Sequence, residues 1–296
     1  MSGFLDQMAA SSAVRCTAAA ALRPLAEVRA AALARAPAPP LQLEGRFDVI
    51  AELKLRSPAL GKLGDLPQAD ALEQRVVAYA QGGAVAVSVL TEPDRFDGSL
   101  VHLQRAVAVL DPLGVPAMRK DFLVAPYQLY EARAAGAGGV LLIVRMLPRA
   151  VLEQMLAVAA ALGLWVLLEA FDEADILVMN EIAAAHAAWR GQQGSAAATL
   201  LLGVNSRDLQ TLQVVPDRLL TMAHGLPAQW PRVAESGVGS AAQAAALAQA
   251  GWTVGLVGTA LMAAGAQDVR EATRLLQQML SQARQIAAPA LSATPP

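Results

Sequence analysis

Only three lysines stand among 23 basic residues in this chain: Lys54, Lys62 and Lys120. Where a solvated positive charge suffices, the sequence uses arginine. Lysine is the basic side chain that can give up its proton when buried and so act as an acid or base. Two of the three follow apolar runs. In Val49-Ile50-Ala51-Glu52-Leu53-Lys54 the run ends in a carboxylate and an ammonium two residues apart. On a strand that spacing puts both side chains on one side. Such a pair serves as an acid/base or anion-binding pair, or else as a strand-end salt bridge, and the stretch alone leaves both open. Lys120 lies in Arg119-Lys120-Asp121-Phe122, again at the end of an apolar segment.

The elements that must carry these groups read as an alternation. Short strands are predicted at 48–53, 84–90, 115–119, 138–143, 164–169, 201–205, 231–235 and 253–257. Helices are predicted at about 67–82, 99–110, 126–135, 147–162, 172–188, 216–224, 239–250 and 267–286. Eight apolar strands alternating with eight helices predict an α/β fold, a (β/α)8 TIM barrel. An open doubly wound sheet is the competing architecture, but no G-x-G-x-x-G follows the first strand. Ahead of the barrel, 4–22 and 25–34 read as two alanine-rich helices, joined to it by the proline-rich APAPPLQLEG. The expected domains are an N-terminal helical extension over 1–46, a catalytic barrel over 47–287 and a disordered tail over 288–296. The insert AAWRGQQGSAAA before the sixth strand reads as a surface loop.

A barrel of this kind places its chemistry at the C-terminal ends of its strands. Those ends carry Glu52 and Lys54, then Thr91-Glu92, Arg119-Lys120-Asp121, Arg145, Glu169, Asn205-Ser206-Arg207-Asp208, Glu235-Ser236-Gly237 and Gly258-Thr259. The strand bodies before them are apolar. Burying polar groups costs free energy unless they are satisfied, and a ring of them favours function over isolated salt bridges. Ser236-Gly237 and Gly258-Thr259, at strands seven and eight, stand where this fold binds phosphate. Glycine lets backbone N–H groups approach an anion, and a helix N-terminus adds partial positive charge.

Composition narrows the function. A chain of 296 residues that is 55% hydrophobic and 16% charged can bury a large core. A net charge of -2 gives no global footprint for nucleic acid or an anionic membrane. The single Cys16 forms neither an internal disulfide nor a cysteine metal site, and is expected as a small buried residue on a helix. His102, His186 and His224 are scattered, so no metal is expected. No signal peptide and no uninterrupted apolar span is read, and the expected location is the cytoplasm.

Seven stretches, in order, carry a family resemblance: IAELKLRSPALG, SVLTEPDRFDGSL, MRKDFLVAPYQLYEARAAGAGGVLLIVRML, LLEAFDEADI, LLGVNSRDLQTL, VAESGV and VGTALM. The chain resembles indole-3-glycerol phosphate synthase, the barrel enzyme of tryptophan biosynthesis. The resemblance implies conversion of 1-(2-carboxyphenylamino)-1-deoxyribulose 5-phosphate into indole-3-glycerol phosphate, CO2 and water, without a cofactor. It implies Lys120 as general acid and Glu169 in proton transfer during dehydration. Lys54 would hold substrate anions and share the acid role, while Glu52, Asn205 and Glu235 would orient and polarise the ring-closing centre. Ser57 and Arg207 would help bind the substrate. Pro58, Phe96, Phe122, Leu141 and Leu209 would wall the aromatic pocket, and Ser236, Gly237, Gly258 and Thr259 would bind phosphate. The implied partner is a small phosphorylated substrate, with the chain either a monomer or associated with other enzymes of the pathway.

The loop after the first strand departs from the family pattern: Leu55 follows Lys54, and Ala59-Leu60-Gly61-Lys62 displaces the usual loop lysine. Phosphoribosylanthranilate isomerase, a neighbour on the same scaffold, uses a cysteine at the first strand end, where this chain has Glu52. A non-catalytic phosphate-binding barrel would lack Lys120 or Glu169, and both are present.

Overall fold

The computed structural model of the protein describes residues 3–57, 61–62, 71–193, 199–208, 211, 213–262 and 268–292. Eight parallel strands close into a barrel: β1 (Asp48–Leu53), β2 (Ala86–Leu90), β3 (Ala117–Lys120), β4 (Gly139–Ile143), β5 (Trp165–Ala170), β6 (Leu200–Asn205), β7 (Arg232–Glu235) and β8 (Val254–Val257). Each pairs with its sequence neighbour, and β8 closes on β1 through Val49 opposite Gly255 and Ala51 opposite Val257. This matches the predicted architecture, with strand ends within two residues of their expected positions.

Alternation along each strand divides two cores. Inward residues such as Ile50, Met118, Leu141, Trp165, Leu167, Leu201, Val233 and Val254 fill the barrel. Outward residues such as Val49, Val87, Val140, Val166, Leu202 and Ala234 pack beneath the helices. With period-two side chains, the same register that buries Ile50 and Val233 inside the barrel also turns Glu52 and Glu235 inward one step higher. The fold thus aims its polar residues at a single opening.

The helices are α1 (Phe4–Leu22), α2 (Leu25–Ala34), α3 (Ala71–Gln81), α4 (Pro93–Phe96), α5 (Leu100–Leu110), α6 (Pro126–Ala134), α7 (Arg149–Ala161), α8 (Glu173–Gln193), α9 (Arg218–Met222), α10 (Ala241–Gln249), α11 (Thr259–Met262) and α12 (Val269–Ser292). Among the described residues no helix is long and apolar enough to cross a membrane.

Several expectations need correction. The insert at 187–198 is not wholly a loop, because α8 runs through Gln193; 194–198 lie outside the described residues. Helix α12 continues to Ser292, into the stretch expected as tail, and 293–296 lie outside the described residues. The helix expected at 216–224 shortens to α9 and a 3-10 turn over Ala223–Gly225. Helix α4 has no counterpart among the predicted elements. It forms because Glu92, at its N-cap, accepts from the backbone N–H groups of Asp94, Arg95 and Phe96. Cys16 is half-buried rather than buried, and burial followed by Glu131 raises its thiol pKa.

The N-terminal extension is fastened to the barrel next to β3. Arg15 on α1 donates to both oxygens of Asp121, at 3.2 and 3.0 Å. Ser12 Oγ accepts from Gln128 Nε2 at 2.9 Å. The Asp121 carboxylate also accepts from Thr91 Oγ1 (2.8 Å), Arg119 Nη2 (3.2 Å) and the Phe122 N–H (2.9 Å). Burial alone would raise its pKa, but Arg119 and Arg15 hold it below the usual carboxylate range.

Candidate active site

The barrel opens at the C-terminal strand ends into a cavity of about 200 Å³. Its lining includes Glu52, Lys54, Phe96, Lys120, Phe122, Leu141, Glu169, Asn205, Arg207, Glu235, Ser236, Gly237, Gly258 and Thr259. Residues from all eight strand ends, spread over more than two hundred positions of sequence, are thereby brought together. Of the remaining expected site residues, Pro58 and Leu209 lie outside the described residues. The backbone of Ser57 forms part of a short antiparallel pair, Arg56–Ser57 with Gly61–Lys62, just beyond β1.

Lys120 sits at the centre of the charges. Its Nζ lies 2.8 Å from Glu235 Oε2 and 3.7 Å from Glu52 Oε2. Lys54 Nζ lies 3.1 Å from Glu52 Oε1. The strand-end salt bridge that the sequence left open is therefore formed, but as one link of a larger cluster. Burial pulls the Lys120 pKa down, yet Glu235, Glu169 and Glu52 outweigh it and raise it above the ordinary lysine value. Glu52 is buried too, but Lys54 and Lys120 hold it below the usual range.

The other two carboxyls are pushed the opposite way. Burial and then Glu169 raise Glu235 to about 8, against the pull of Lys120. Burial raises Glu169 as well, opposed by Lys120 and by the Asn205 amide. Asn205 Nδ2 donates to Glu169 Oε1 at 2.7 Å, while its Oδ1 accepts from Ser236 Oγ (3.0 Å) and the Arg207 N–H (2.9 Å). The amide thus ties the β5 end to the β6–β7 turns. One cavity holds a cation whose charged form is favoured, a carboxylate held below its usual pKa, and two carboxyls raised above theirs. Environments that separate pKa values in this way divide acid and base roles.

Two glycines make room for these groups. A Cβ at Gly203 would meet Glu235 Oε1 at 2.5 Å and Leu167 Cδ1 at 2.8 Å, and one at Gly258 would meet Glu52 Oε1 at 2.5 Å. At the β7 end Ser236 and Gly237 both take the left-handed conformation, with φ of 65° and 81°. That conformation is costly for serine, and it is held here by the hydroxyl's bond to Asn205. Across the mouth, Gly258 leads into α11, which opens at Thr259.

The apolar side of the cavity contains residues that the sequence reasoning missed: Phe4, Phe171, Leu90, Ile143, Val238, Leu256 and Val257. Phe4 comes from α1 and meets Phe122 edge-on, with centroids 5.9 Å apart. A signal for the aromatics was present. The chain has five phenylalanines, Phe4, Phe47, Phe96, Phe122 and Phe171, and all but Phe47 line this cavity. Arg145, Arg119 and Thr91, though at strand ends, are not part of the lining. Arg119 instead pairs with Glu131 at 2.8 Å and with Asp121.

Several known proteins are similar to this chain. The family described as indole-3-glycerol phosphate synthase matches residues 5–276. The chain is 44% identical to the indole-3-glycerol phosphate synthase of Micrococcus luteus, across 82% of this chain and 85% of that one. It is 42% identical to the enzyme of the same name from Mycolicibacterium vanbaalenii, across 78% and 79%. Among solved structures, a thiamine phosphate pyrophosphorylase from Pyrococcus furiosus superposes with a TM-score of 0.53 at 17% identity, covering 81% of this chain and 98% of that one. A 4-hydroxy-2-oxoglutarate aldolase gives 0.52 at 17% identity, covering 80% and 95%. At such identities these two likenesses speak for the barrel fold alone.

Proposed function

This chain belongs to the indole-3-glycerol phosphate synthase family, and from that premise we propose how its strand-end residues divide the family's reaction. The activity is ring closure, decarboxylation and dehydration of 1-(2-carboxyphenylamino)-1-deoxyribulose 5-phosphate, a carboxy-lyase step of tryptophan biosynthesis. The observation that carries the assignment of roles is the position of Lys120, whose ammonium lies 2.8 Å from Glu235 and 3.7 Å from Glu52 at the centre of the cavity.

Ring closure requires a carbon of the aryl ring to attack the substrate's ketone carbon. Lys120 donates to the ketone oxygen, stabilising the negative charge that develops there and making the carbon electrophilic. Glu235, 2.8 Å from its ammonium, orients it. Lys54, paired with Glu52, attracts the substrate's carboxylate and assists as an acid. Phe4, Phe96, Phe122 and Leu141 pack the aryl ring, so that it reaches the ketone in a reactive geometry. Loss of CO2 restores aromaticity and needs no electron sink.

Dehydration then expels the hydroxyl as water, which needs an acid to protonate that oxygen and a base to take the proton the substrate releases. Glu169 suits this because burial raises its pKa, and the Asn205 amide fixes its orientation. The turn at Ser236-Gly237 and the start of α11 at Gly258-Thr259 offer backbone N–H groups to the phosphate, and Arg207 positions the substrate between the two ends. We further propose that the enzyme works in the cytoplasm, either as a monomer or in association with other enzymes of the pathway. The test is a fluorescence assay for indole-3-glycerol phosphate formed from the carboxyphenylamino substrate. No product above the uncatalysed background would overturn this reading.

A further inference from the structure

Beside the catalytic ring, the ends of β4 and β5 are clamped together by a second set of charges. Arg145, in the turn after β4, donates from Nε to Asp175 Oδ2 at 2.7 Å and from Nη2 to Asp172. Asp175 Oδ2 also accepts the Phe171 N–H at 2.8 Å, and Asp172 Oδ1 accepts the Asp175 N–H at 3.0 Å. The guanidinium lies over the Phe171 ring, with Cζ 5.2 Å from its centroid. Phe171 is 4% exposed, lines the cavity, and stands two residues beyond Glu169.

Capping of α8 does not explain this arrangement. Asp172 already accepts an N–H of the first turn. Asp175 is buried, and a buried carboxylate is costly unless paired. Arg145 supplies the pairing charge and also covers the face of the ring. A planar guanidinium can bond two carboxylates in its plane while presenting a face to an aromatic, which an ammonium cannot do.

We propose that Arg145 is a positioning residue for the aryl end of the substrate: through Asp175 and the ring face of Phe171, it fixes the wall of the pocket beside Glu169. This rests on the proposed function above. Arg149 provides the contrast. It makes ion pairs with Glu153 one turn along its own helix and with Glu181 on α8, but it is not part of the cavity lining.

The test is steady-state kinetics of the wild type, Arg145→Ala, Arg145→Lys and Arg149→Ala, with inorganic phosphate as a competing inhibitor. For Arg145→Ala the KM for the carboxyphenylamino substrate is expected to rise about ten-fold, on the scale of one charge-assisted hydrogen bond. Inhibition by phosphate should be unchanged, because that end of the site does not touch the clamp. Arg145→Lys should recover part of the loss, and Arg149→Ala should match the wild type. A wild-type KM in Arg145→Ala would overturn the inference. So would a parallel weakening of phosphate inhibition, which would mark general loosening. If the alanine variant does not fold, Arg145→Gln is read by the same criteria. Absence of product with the wild type would instead overturn the functional reading, and this inference with it.

Discussion

The Lys120 ammonium and the Glu235 carboxylate stand 2.8 Å apart inside the barrel, while the other oxygen of Glu235, Oε1, finds no hydrogen-bond partner among the described residues. A buried carboxylate that is half satisfied holds its proton tightly, and this one is raised from 4.5 to about 8 by burial and by Glu169. The pair therefore combines an ammonium whose charged form is favoured with a carboxyl that titrates near neutrality.

That titration has a consequence for stability. The folded protein keeps the Glu235 proton up to about pH 8, whereas the unfolded chain releases it near 4.5. The folded state binds more protons in that window, so this group's contribution to stability falls as pH rises through it. Glu235→Gln has no such proton and should flatten the dependence of the urea midpoint on pH between the two values. Equal slopes for variant and wild type would contradict the shift.

Gly203 is where backbone packing sets the position of Glu235. A methyl group there would meet Glu235 Oε1 and Leu167 Cδ1 within 3 Å. Gly203→Ala should lower stability by about 1–3 kcal/mol, the usual cost of overpacking, and should reduce kcat by displacing Glu235 from Lys120. Chemical denaturation together with kcat measures both. A variant with normal kcat would show that Glu235 tolerates the shift.

Arg15 couples the N-terminal extension to the pocket. Its two bonds to Asp121 hold α1, and α1 delivers Phe4 against Phe122. Arg15→Ala should cost about 1–3 kcal/mol, the scale of hydrogen bonds to charged groups, and should raise KM. Phe4→Ala should raise KM with little change in stability. If Phe4→Ala leaves KM unaltered, the extension does not contribute to substrate binding.

The chemistry assigned to Lys120, Glu169 and the aryl ring needs no Lewis acid. Treatment with EDTA should therefore leave turnover unchanged. A loss restored by added divalent cation would require a different division of roles.

The barrel and much of its polar ring were legible because both follow from period-two alternation. Once Ile50 faces inward, Glu52 must do so too, and the same holds for Val233 and Glu235. The salt-bridge reading of Glu52 and Lys54 and the functional reading were not alternatives, since the bridge is part of the site. What stayed hidden depends on contacts distant in sequence. Apart from the scarcity of phenylalanine, nothing near Phe4 signals a pocket wall, because its position is set by Arg15 reaching Asp121. Arg145 reads as one more strand-end cation, and only the fold shows that it turns to Asp175 and Phe171 instead of the cavity. Helix α8 runs through Gln193, further than its sequence predicts, since its glycine and glutamines have loop composition.

The most direct measurement compares indole-3-glycerol phosphate formation by the wild type and by Lys120→Met, with phosphate binding followed in parallel. Methionine keeps the length of the side chain and removes its charge and its protons. The variant is expected to lose turnover by at least about a thousand-fold, the combined scale of general-acid and electrostatic stabilisation, while still binding phosphate. Turnover near the wild-type level in Lys120→Met would contradict the role given to Lys120.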